Sequence, residues 1–164
     1  MKFVCEPPAS KSRKIIARDS QVISSSYSRE FDFVFDHGKG CYLWDVDGKR
    51  YLDFAAGIAV ANIGHANDAV IRAIKRQVEK GTHAAFGDFY AELPVRFVEK
   101  LLTFVSPHLN NAFLSNSGTE AVEAAYKCAR WHTKKKWFIA FDHAFHGRTM
   151  GSLSLTKSKP RHRE

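Results

Sequence analysis

Cysteine is scarce in this chain, whose 164 residues include only 3, at Cys5, Cys41 and Cys128. The three are odd in number, far apart and in no C-x-x-C pair, which argues against a disulfide framework and a structural zinc site. This usage is typical of a reduced, cytoplasmic protein. Long apolar runs are also missing: none approaches the ~18 residues of a membrane span, and the N-terminus lacks the apolar region of a signal peptide. We therefore expect no membrane partner.

Two common nucleotide-binding motifs are absent as well, namely the G-x-x-x-x-G-K loop and the G-x-G-x-x-G fingerprint. Acidic residues are outnumbered, with 17 Asp and Glu against 25 Lys and Arg, a formal net charge of +8. The basic excess lies largely in two end segments, 11–18 and 157–163, and in 134–136. Scattered charge of this kind more often makes a protein soluble than forms a binding surface. Because no nucleic-acid-binding module is recognisable either, we expect no nucleic-acid partner.

Hydrophobic residues make up 45% of the chain, which is enough for a core, and the length favours one domain. Residues 1–26 are polar and Ser-rich and are predicted as an arm with at most one short helix. Asn67 is predicted to cap an amphipathic helix that Gly81 closes, with its apolar face directed inward. Another helix is predicted from about residue 91 to 105.

A β-hairpin is predicted in the first half of the chain. Segments 41–46 and 49–54 flank Asp47-Gly48, a turn pair that tolerates positive φ and so joins two strands. Segment 31–35 alternates apolar and acidic residues and is predicted as a third strand. Residues 54–65 are small, apolar and punctuated by glycine, which suits a close-packed loop that lines a pocket.

A strand, a helix and a second strand are predicted in the second half. Segments 112–115 and 137–141 are the predicted buried strands, and the helix between them follows a tight turn at 116–118. Charged residues at three- and four-residue steps predict one solvated face of that helix: Glu120, Glu123, Lys127, Arg130 and Lys134. This βαβ pattern indicates an α/β fold with an at least partly parallel sheet. Because such a sheet needs more strands, we expect this chain to be the front part, or a remnant, of a longer protein.

The turn at Ser117-Gly118-Thr119 is the first candidate site. A small-residue turn at a helix start directs unpaired N–H groups and the positive end of the helix dipole at one point, which stabilises a phosphate. Gly118 allows close approach, and the hydroxyls of Ser117 and Thr119 are two more donors. The alternative is a capping box, in which Ser117 caps the helix and Glu120 reaches back, with no ligand.

The loop 142–149 is the second candidate site, since ligands of α/β sheets lie beyond the carboxyl ends of the strands. Phe145 offers an aromatic face to a flat ring, and Arg148 offers a bidentate partner to a carboxylate. The alternative for each is a structural role, in the core for Phe145 and in solvent for Arg148. His143 and His146 are too poorly supported by other ligands to predict a metal site.

Four blocks together closely resemble the class-III pyridoxal-phosphate aminotransferases, the group of ornithine, acetylornithine and 4-aminobutyrate aminotransferases. The blocks are LWDVDGKRYLDFAAGIAV at 43–60, NIGH at 62–65, SGTEAVEAA at 117–125 and AFHGRT at 144–149. The resemblance covers about residue 27 to 160, and residues 161–164 depart from it, which would suit a frameshift or premature stop.

The resemblance implies a fold type I transferase, truncated, with three parts. Residues 1–26 would be an N-terminal arm, 27–66 the β-hairpin segment and pocket loop of the small domain, and 67–164 the first part of the large domain with its mainly parallel sheet. It implies pyridoxal 5′-phosphate as the cofactor, amino-acid and 2-oxo-acid substrates, and a homodimer.

The resemblance also implies residue roles. Ser117, Gly118 and Thr119 would hold the cofactor phosphate. Phe145 would stack on the cofactor ring, with His146 as its neighbour in the cofactor site. Arg148 would pair with a substrate carboxylate, and Ile58 would line the substrate pocket.

The cofactor chemistry also requires a lysine that binds pyridoxal phosphate covalently and an acidic partner for the ring nitrogen. In the family both lie downstream of the position that corresponds to residue 164. The lysines present are poor substitutes, because Lys127 and Lys134 lie on the charged face of the predicted helix and Lys157 and Lys159 lie in the basic C-terminal segment. The resemblance therefore implies no catalytic residue in this chain, no covalent attachment at the usual lysine, and a chain that is inactive alone.

The amino donor stays open among 4-aminobutyrate, acetylornithine and ornithine. Gly118-Thr119 resembles the ornithine and acetylornithine members of the family, whereas Gly57-Ile-Ala-Val60 resembles the 4-aminobutyrate members. Two alternatives also stay open: an amino-acid racemase of the same fold, and a non-catalytic remnant or interaction module. The coding sequence beyond residue 164 would discriminate between them, since only the enzymes require a lysine-bearing second part.

Overall fold

A computed structural model describes residues 8–27 and 29–162. The chain forms two compact units, Met1–Ala84 and Ala85–Glu164. In the first unit the helices and strands are α1 Ser10–Val22, β1 Phe35–Lys39, β2 Tyr42–Asp45, β3 Arg50–Leu52, α2 Ala56–Ala59 and α3 Asp68–Lys80. In the second unit they are α4 Glu92–Leu102, α5 Gly118–Thr133, α6 Met150–Leu155 and a 3₁₀ turn Pro160–His162. The predicted domain boundaries stay a prediction.

The predicted hairpin is confirmed. Strands β2 and β3 pair antiparallel, with Leu43 opposite Tyr51, and Gly48 takes the positive φ of 86° that the turn requires. Strand β1 pairs antiparallel with β2, so the sheet order is β1-β2-β3. The bounds predicted for the third strand, 31–35, are wrong, because pairing with β2 begins only at Phe35, opposite Asp45, and continues to Lys39 with a register shift between Phe35 and His37.

The N-terminal arm contains a helix of 13 residues, α1, that the hairpin turn caps. Ala9, at the N-cap position, has no capping side chain. The Asp47 carboxylate instead accepts hydrogen bonds from the N–H groups of Lys11 (3.1 Å) and Ser12 (2.9 Å). The Ser12 hydroxyl also donates to Asp47 at 2.5 Å, and Ser12 is buried. Asp47 therefore satisfies helix-start donors that α1 cannot satisfy itself.

Helix α3 has the predicted start and end. The Asn67 side chain accepts from the N–H groups of Ala69 and Val70, and Gly81 follows the last turn with φ of 110°. The expectation of an inward apolar face is wrong, because Val70, Ile74 and Val78 are exposed. A cap needs only neighbouring residues, whereas burial needs a facing element, and none of the described elements covers this face.

The second unit contains the predicted helices but not the predicted strands. Helix α4 ends at Leu102, three residues before the predicted end. Neither 112–115 nor 137–141 forms a strand, and no parallel pair occurs among the described residues. Both segments lack a strand partner, and a strand exists only through its ladder of hydrogen bonds. Segment 137–141 still packs against α5, where Phe138 stacks on Tyr126 at 4.2 Å between ring centroids.

Apolar side chains are widely exposed. Among the described residues no large hydrophobic side chain is buried, and the side chains that are buried, those of Ser12, Asp45, Ser152 and Thr156, are polar. The buried polar groups all have hydrogen-bond partners, so local polar networks, rather than an apolar core, fix the described loops. None of the helices in residues 8–27 and 29–162 is long and apolar enough to cross a bilayer.

Candidate functional site

Helix α5 begins at the predicted phosphate-binding turn. The Ser117 hydroxyl accepts the N–H of Glu120 at 3.3 Å, and the Glu120 carboxylate accepts the N–H of Asn116 at 2.7 Å. Capping is therefore present, although Glu120 reaches the residue before the N-cap rather than the N-cap itself. The N–H groups of Gly118 and Thr119 find no acceptor among the described residues. They remain available to an anion at the positive end of the helix dipole.

The loop 142–149 is held by Thr156, which is fully buried. The His146 N–H donates to Thr156 Oγ1 at 2.9 Å, and Thr156 Oγ1 donates to the carbonyl of Gly147 at 2.8 Å. Gly147 is itself buried and has φ of 131°, a conformation that favours glycine. These bonds fix the backbone on both sides of Gly147 and so determine where the side chains of Phe145 and Arg148 begin.

One cavity of about 670 Å³ lies between the start of α5 and this loop, within the size range of small-molecule sites. Its lining consists of Ser117, Gly118, Thr119, Val122, Phe145, His146, Gly147, Arg148 and Thr149. Six of the seven site residues predicted from the sequence therefore line the same cavity. No acidic side chain is in this lining and Arg148 is, so its charge favours an anionic ligand.

Phe145 and Arg148 are both accessible from the cavity side. Phe145 is 57% exposed, and its ring centroid lies 6.1 Å from that of His162. Arg148 is exposed and makes no ion pair with a described residue. The sequence alternatives placed Phe145 in the core and Arg148 in solvent, and Phe145 is not buried in the described structure. Both side chains are thus free to contact a bound molecule.

Thr119 differs from its predicted use as a phosphate donor. Its Oγ1 lies 2.5 Å from Ser152 Oγ and 3.0 Å from Thr149 Oγ1, and it accepts the N–H of Thr149 at 3.4 Å. The hydroxyl of Thr119 therefore joins α5 to α6. What Thr119 offers an anion is its backbone N–H, so the hydroxyl donor on the cavity side is that of Ser117.

The expectation that Glu123 belongs to a solvated helix face is wrong. Its Oε1 accepts from the Thr149 hydroxyl at 2.6 Å and from the Ser152 N–H at 3.0 Å. These hydrogen bonds, the one from Thr149 first, hold the pKa of Glu123 below its usual value. Helical periodicity does not reveal this contact, because Thr149 and Ser152 belong to another element.

Ile58 lies in the first unit, in a backbone turn of unusual hand. Ala56, Gly57, Ile58 and Ala59 have φ of 47°, 63°, 61° and 63°, and the Ile58 side chain is 93% exposed. Left-handed torsion angles are costly for residues other than glycine. This segment, predicted as a loop, is therefore a strained left-handed turn that projects an isoleucine.

Asp53 and His65, which the sequence did not single out, support that turn. The Asp53 carboxylate accepts the N–H groups of Ala55 and Ala56, each at 2.9 Å, and contacts His65 Nε2 at 2.6 Å. The hydrogen bond from His65, followed by that from Ala56, lowers the pKa of Asp53. An acidic residue directly after a strand and a histidine after a glycine are the available sequence signals, and both are weak.

Comparison with known proteins gives one consistent family. The profile of the family described as aminotransferase class-III matches residues 23–164. An acetylornithine aminotransferase of Archaeoglobus fulgidus is 45% identical over 141 residues, which cover 86% of this chain and 36% of that protein. An alanine/serine racemase of Pyrococcus horikoshii is 35% identical over 156 residues, which cover 94% of this chain and 33% of that protein. The chain thus spans about a third of the length of these relatives.

A solved structure agrees with the sequence comparison. The adenosylmethionine-8-amino-7-oxononanoate aminotransferase of Methanocaldococcus jannaschii superposes with a TM-score of 0.82 at 28% identity, over 92% of this chain and 37% of that one. The fold predicted from the sequence, part of a fold type I transferase, is confirmed.

Proposed function

Because the chain belongs to the class-III aminotransferase family, we propose that it carries the phosphate and ring contacts of a pyridoxal 5′-phosphate site. The observation that carries the proposal is the single cavity shared by Ser117, Gly118, Thr119, Phe145, His146 and Arg148. The residues fit this cofactor: two unpaired N–H groups suit its phosphate, an exposed ring suits its pyridine, and the lining has no acidic side chain.

Each residue has a defined task. The N–H groups of Gly118 and Thr119 and the Ser117 hydroxyl bind the phosphate, and Phe145 stacks on the ring beside His146. Arg148 holds a substrate carboxylate and orients the amino acid. When bound, the cofactor supplies an electron sink for the substrate Cα. The role of Ile58 as a substrate-pocket residue is part of this proposal and draws support from its exposed position.

The proposed reaction transfers an amino group from an ω-amino acid or ornithine-like donor, such as 4-aminobutyrate, acetylornithine or ornithine, to a 2-oxo acid. The acetylornithine aminotransferase of A. fulgidus supports this substrate class. A cytoplasmic homodimer is the proposed setting.

The chain alone is proposed to be inactive. None of the nine lining residues of the cavity is a lysine, so no side chain in the lining can hold the cofactor covalently or move a proton at the substrate Cα. Borohydride treatment with pyridoxal phosphate should label no single lysine stoichiometrically. Stoichiometric labelling of one lysine, or amino transfer by the 164-residue chain, would contradict this part of the proposal.

Binding is best tested with pyridoxamine 5′-phosphate, because it lacks the aldehyde that reacts with surface lysines. We expect saturable binding of one molecule per chain. Gly118→Pro should weaken it about tenfold or more, since this change removes one N–H aimed at the phosphate. Proline is compatible with the first position of a helix, and Ser117 before it is already extended, with φ of −153° and ψ of 160°.

The matched control is Glu92→Pro, which places proline at the first position of α4 after an equally extended residue, Ala91. It should leave binding unchanged. Absence of saturable binding by the wild-type chain, or equal effects of the two prolines, would contradict the proposed site.

A racemase is the second candidate, because the P. horikoshii relative covers 94% of this chain. The two reactions differ in what they consume. A racemase interconverts the enantiomers of one amino acid without a second substrate, whereas an aminotransferase requires a 2-oxo acid that becomes the new amino acid. Enantiomer exchange without any 2-oxo acid, in a protein that contains this chain and the missing lysine, would favour the racemase.

A further inference from the structure

Glu123 and Ser152 connect the two walls of the cavity without lining it. The lining includes Thr119 from α5 and Thr149 from the loop, whereas Glu123 and Ser152 lie behind them. Glu123 Oε1 accepts from Thr149 Oγ1 at 2.6 Å, and Ser152 Oγ lies 2.5 Å from Thr119 Oγ1 and 2.9 Å from Thr149 Oγ1. Ser152 is fully buried. We propose that Glu123 and Ser152 are positioning residues that set the distance between the phosphate-binding turn and loop 145–149.

The proton count of this cluster supports a closed network. Thr149 donates its hydroxyl proton to the Glu123 carboxylate, which is an acceptor only. In the 2.5 Å contact between the Thr119 and Ser152 hydroxyls either group can donate, and Ser152 also has the Thr149 carbonyl at 3.2 Å as an acceptor. When Ser152 donates to that carbonyl and Thr119 donates to Ser152, all three hydroxyl protons are used inside the cluster, and this arrangement holds the two walls together.

Glu123 also takes the place of a capping side chain for α6. Thr149, at the N-cap position of α6, makes no side-chain capping bond, and the Ser152 N–H donates to Glu123 at 3.0 Å. The carboxylate is also so close to Gly151 that a Cβ there would overlap it. The helix that follows the loop is therefore fastened to the second turn of α5, just beyond the phosphate-binding start.

This role rests on the proposed function, and it predicts a split between two ligands. Inorganic phosphate needs only the start of α5, whereas pyridoxamine 5′-phosphate needs both walls. Glu123→Ala should therefore raise the Kd for pyridoxamine 5′-phosphate about tenfold. The Kd for inorganic phosphate, obtained by competition against pyridoxamine 5′-phosphate, should stay within about twofold. Ser152→Ala should act in the same direction with a smaller change, because it removes one hydroxyl and leaves the carboxylate.

Glu123→Gln is the variant that separates geometry from charge. Its amide oxygen retains the position that accepts from Thr149 and Ser152, while its NH₂ group replaces the carboxylate oxygen that lies against Gly151. We expect the Gln variant to bind pyridoxamine 5′-phosphate between the wild-type and Ala variants. Glu79→Ala, on the exposed side of α3, is the control and should bind both ligands as the wild type does.

The outcomes are distinct. Equal weakening of both ligands by Glu123→Ala would show a merely structural role and overturn the proposal, as would an unchanged Kd for pyridoxamine 5′-phosphate in both Glu123 variants. If the wild-type chain binds no pyridoxamine 5′-phosphate, or if inorganic phosphate does not compete with it, the proposed function fails and this role fails with it.

Discussion

Gly147 lies where loop 145–149 meets the first turn of α5. Its φ of 131° favours glycine, and a Cβ there would overlap the side chain of Thr119 and lie 2.6 Å from Ser152 Oγ. Gly147→Ala should therefore lower the free energy of unfolding by about 2 kcal/mol or more, through backbone strain and overpacking together. Urea unfolding followed by circular dichroism measures this change.

The control for this substitution is Gly87→Ala, since Gly87 has open space around its Cβ position and no positive φ. This change should be nearly neutral. Equal stability of the Gly147→Ala and Gly87→Ala variants would show that the packing around Gly147 is not as described.

Glu123 predicts a pH dependence of stability. Its folded-state pKa lies below the usual 4.5, mainly through the hydrogen bonds from Thr149 and Ser152, with a smaller contribution from Lys127. As pH falls, the unfolded chain binds the proton first. The stabilisation is therefore complete above about 4.5 and is lost as pH falls through the lower folded pKa.

The midpoint of urea unfolding should thus fall less steeply below pH 4.5 in Glu123→Gln than in the wild type. Glu79→Gln removes the same charge from an exposed site and should follow the wild-type curve. Parallel curves for the wild-type chain and Glu123→Gln would refute the role of Glu123 as a bonded carboxylate.

Among the elements, α1 depends on Asp47, a residue that lies well beyond the end of the helix in the sequence. Asp47 accepts from the N–H groups of Lys11 and Ser12, and it also lies in the turn between β2 and β3. Asp47→Ala should therefore leave the first turn of α1 uncapped and accelerate amide hydrogen exchange there, by about fivefold or more. Asp32→Ala, at an exposed position of the same unit, is the control. Unchanged exchange in α1 would contradict the cap.

The elements also show which parts of the structure the sequence predicts. Asn67 and Gly81 bound α3, and Asp47-Gly48 forms the hairpin turn, because caps and tight turns depend on neighbouring residues. The predicted strands at 112–115 and 137–141 needed distant partners, which the described chain does not supply.

Part of the candidate site was likewise predicted from the sequence, and part was not. Ser117–Thr119 and 145–148 were identified by motif and family resemblance, and they line one cavity. The contacts of Glu123 with Thr149 and Ser152 were missed, because they join residues 26 and 29 positions apart. A glutamate of α5 that bonds to another element recurs at the same three- or four-residue step as a solvated glutamate. Helical periodicity therefore does not distinguish the two cases.

At the scale of the whole molecule, exposed apolar surface dominates the expected behaviour. No described hydrophobic side chain is buried. Segment 137–141 alternates like a strand: Phe138 and Ala140 are half-buried, while Trp137, Ile139 and Phe141 are 93%, 94% and 80% exposed. Such a segment combines an apolar face with unpaired backbone groups, which favours association between chains.

The 164-residue chain should therefore self-associate at micromolar concentration and bind the dye ANS in native buffer. Ile139→Lys places a charge in the middle of the exposed face, and it should shift sedimentation velocity profiles toward the monomer and reduce ANS fluorescence. Gln77→Lys adds the same charge to the exposed surface of α3, and it should change association much less.

A wild-type chain that remains monomeric without ANS binding would show that this apolar surface is covered in solution. If Ile139→Lys and Gln77→Lys reduce association equally, net charge, and not segment 137–141, controls the association.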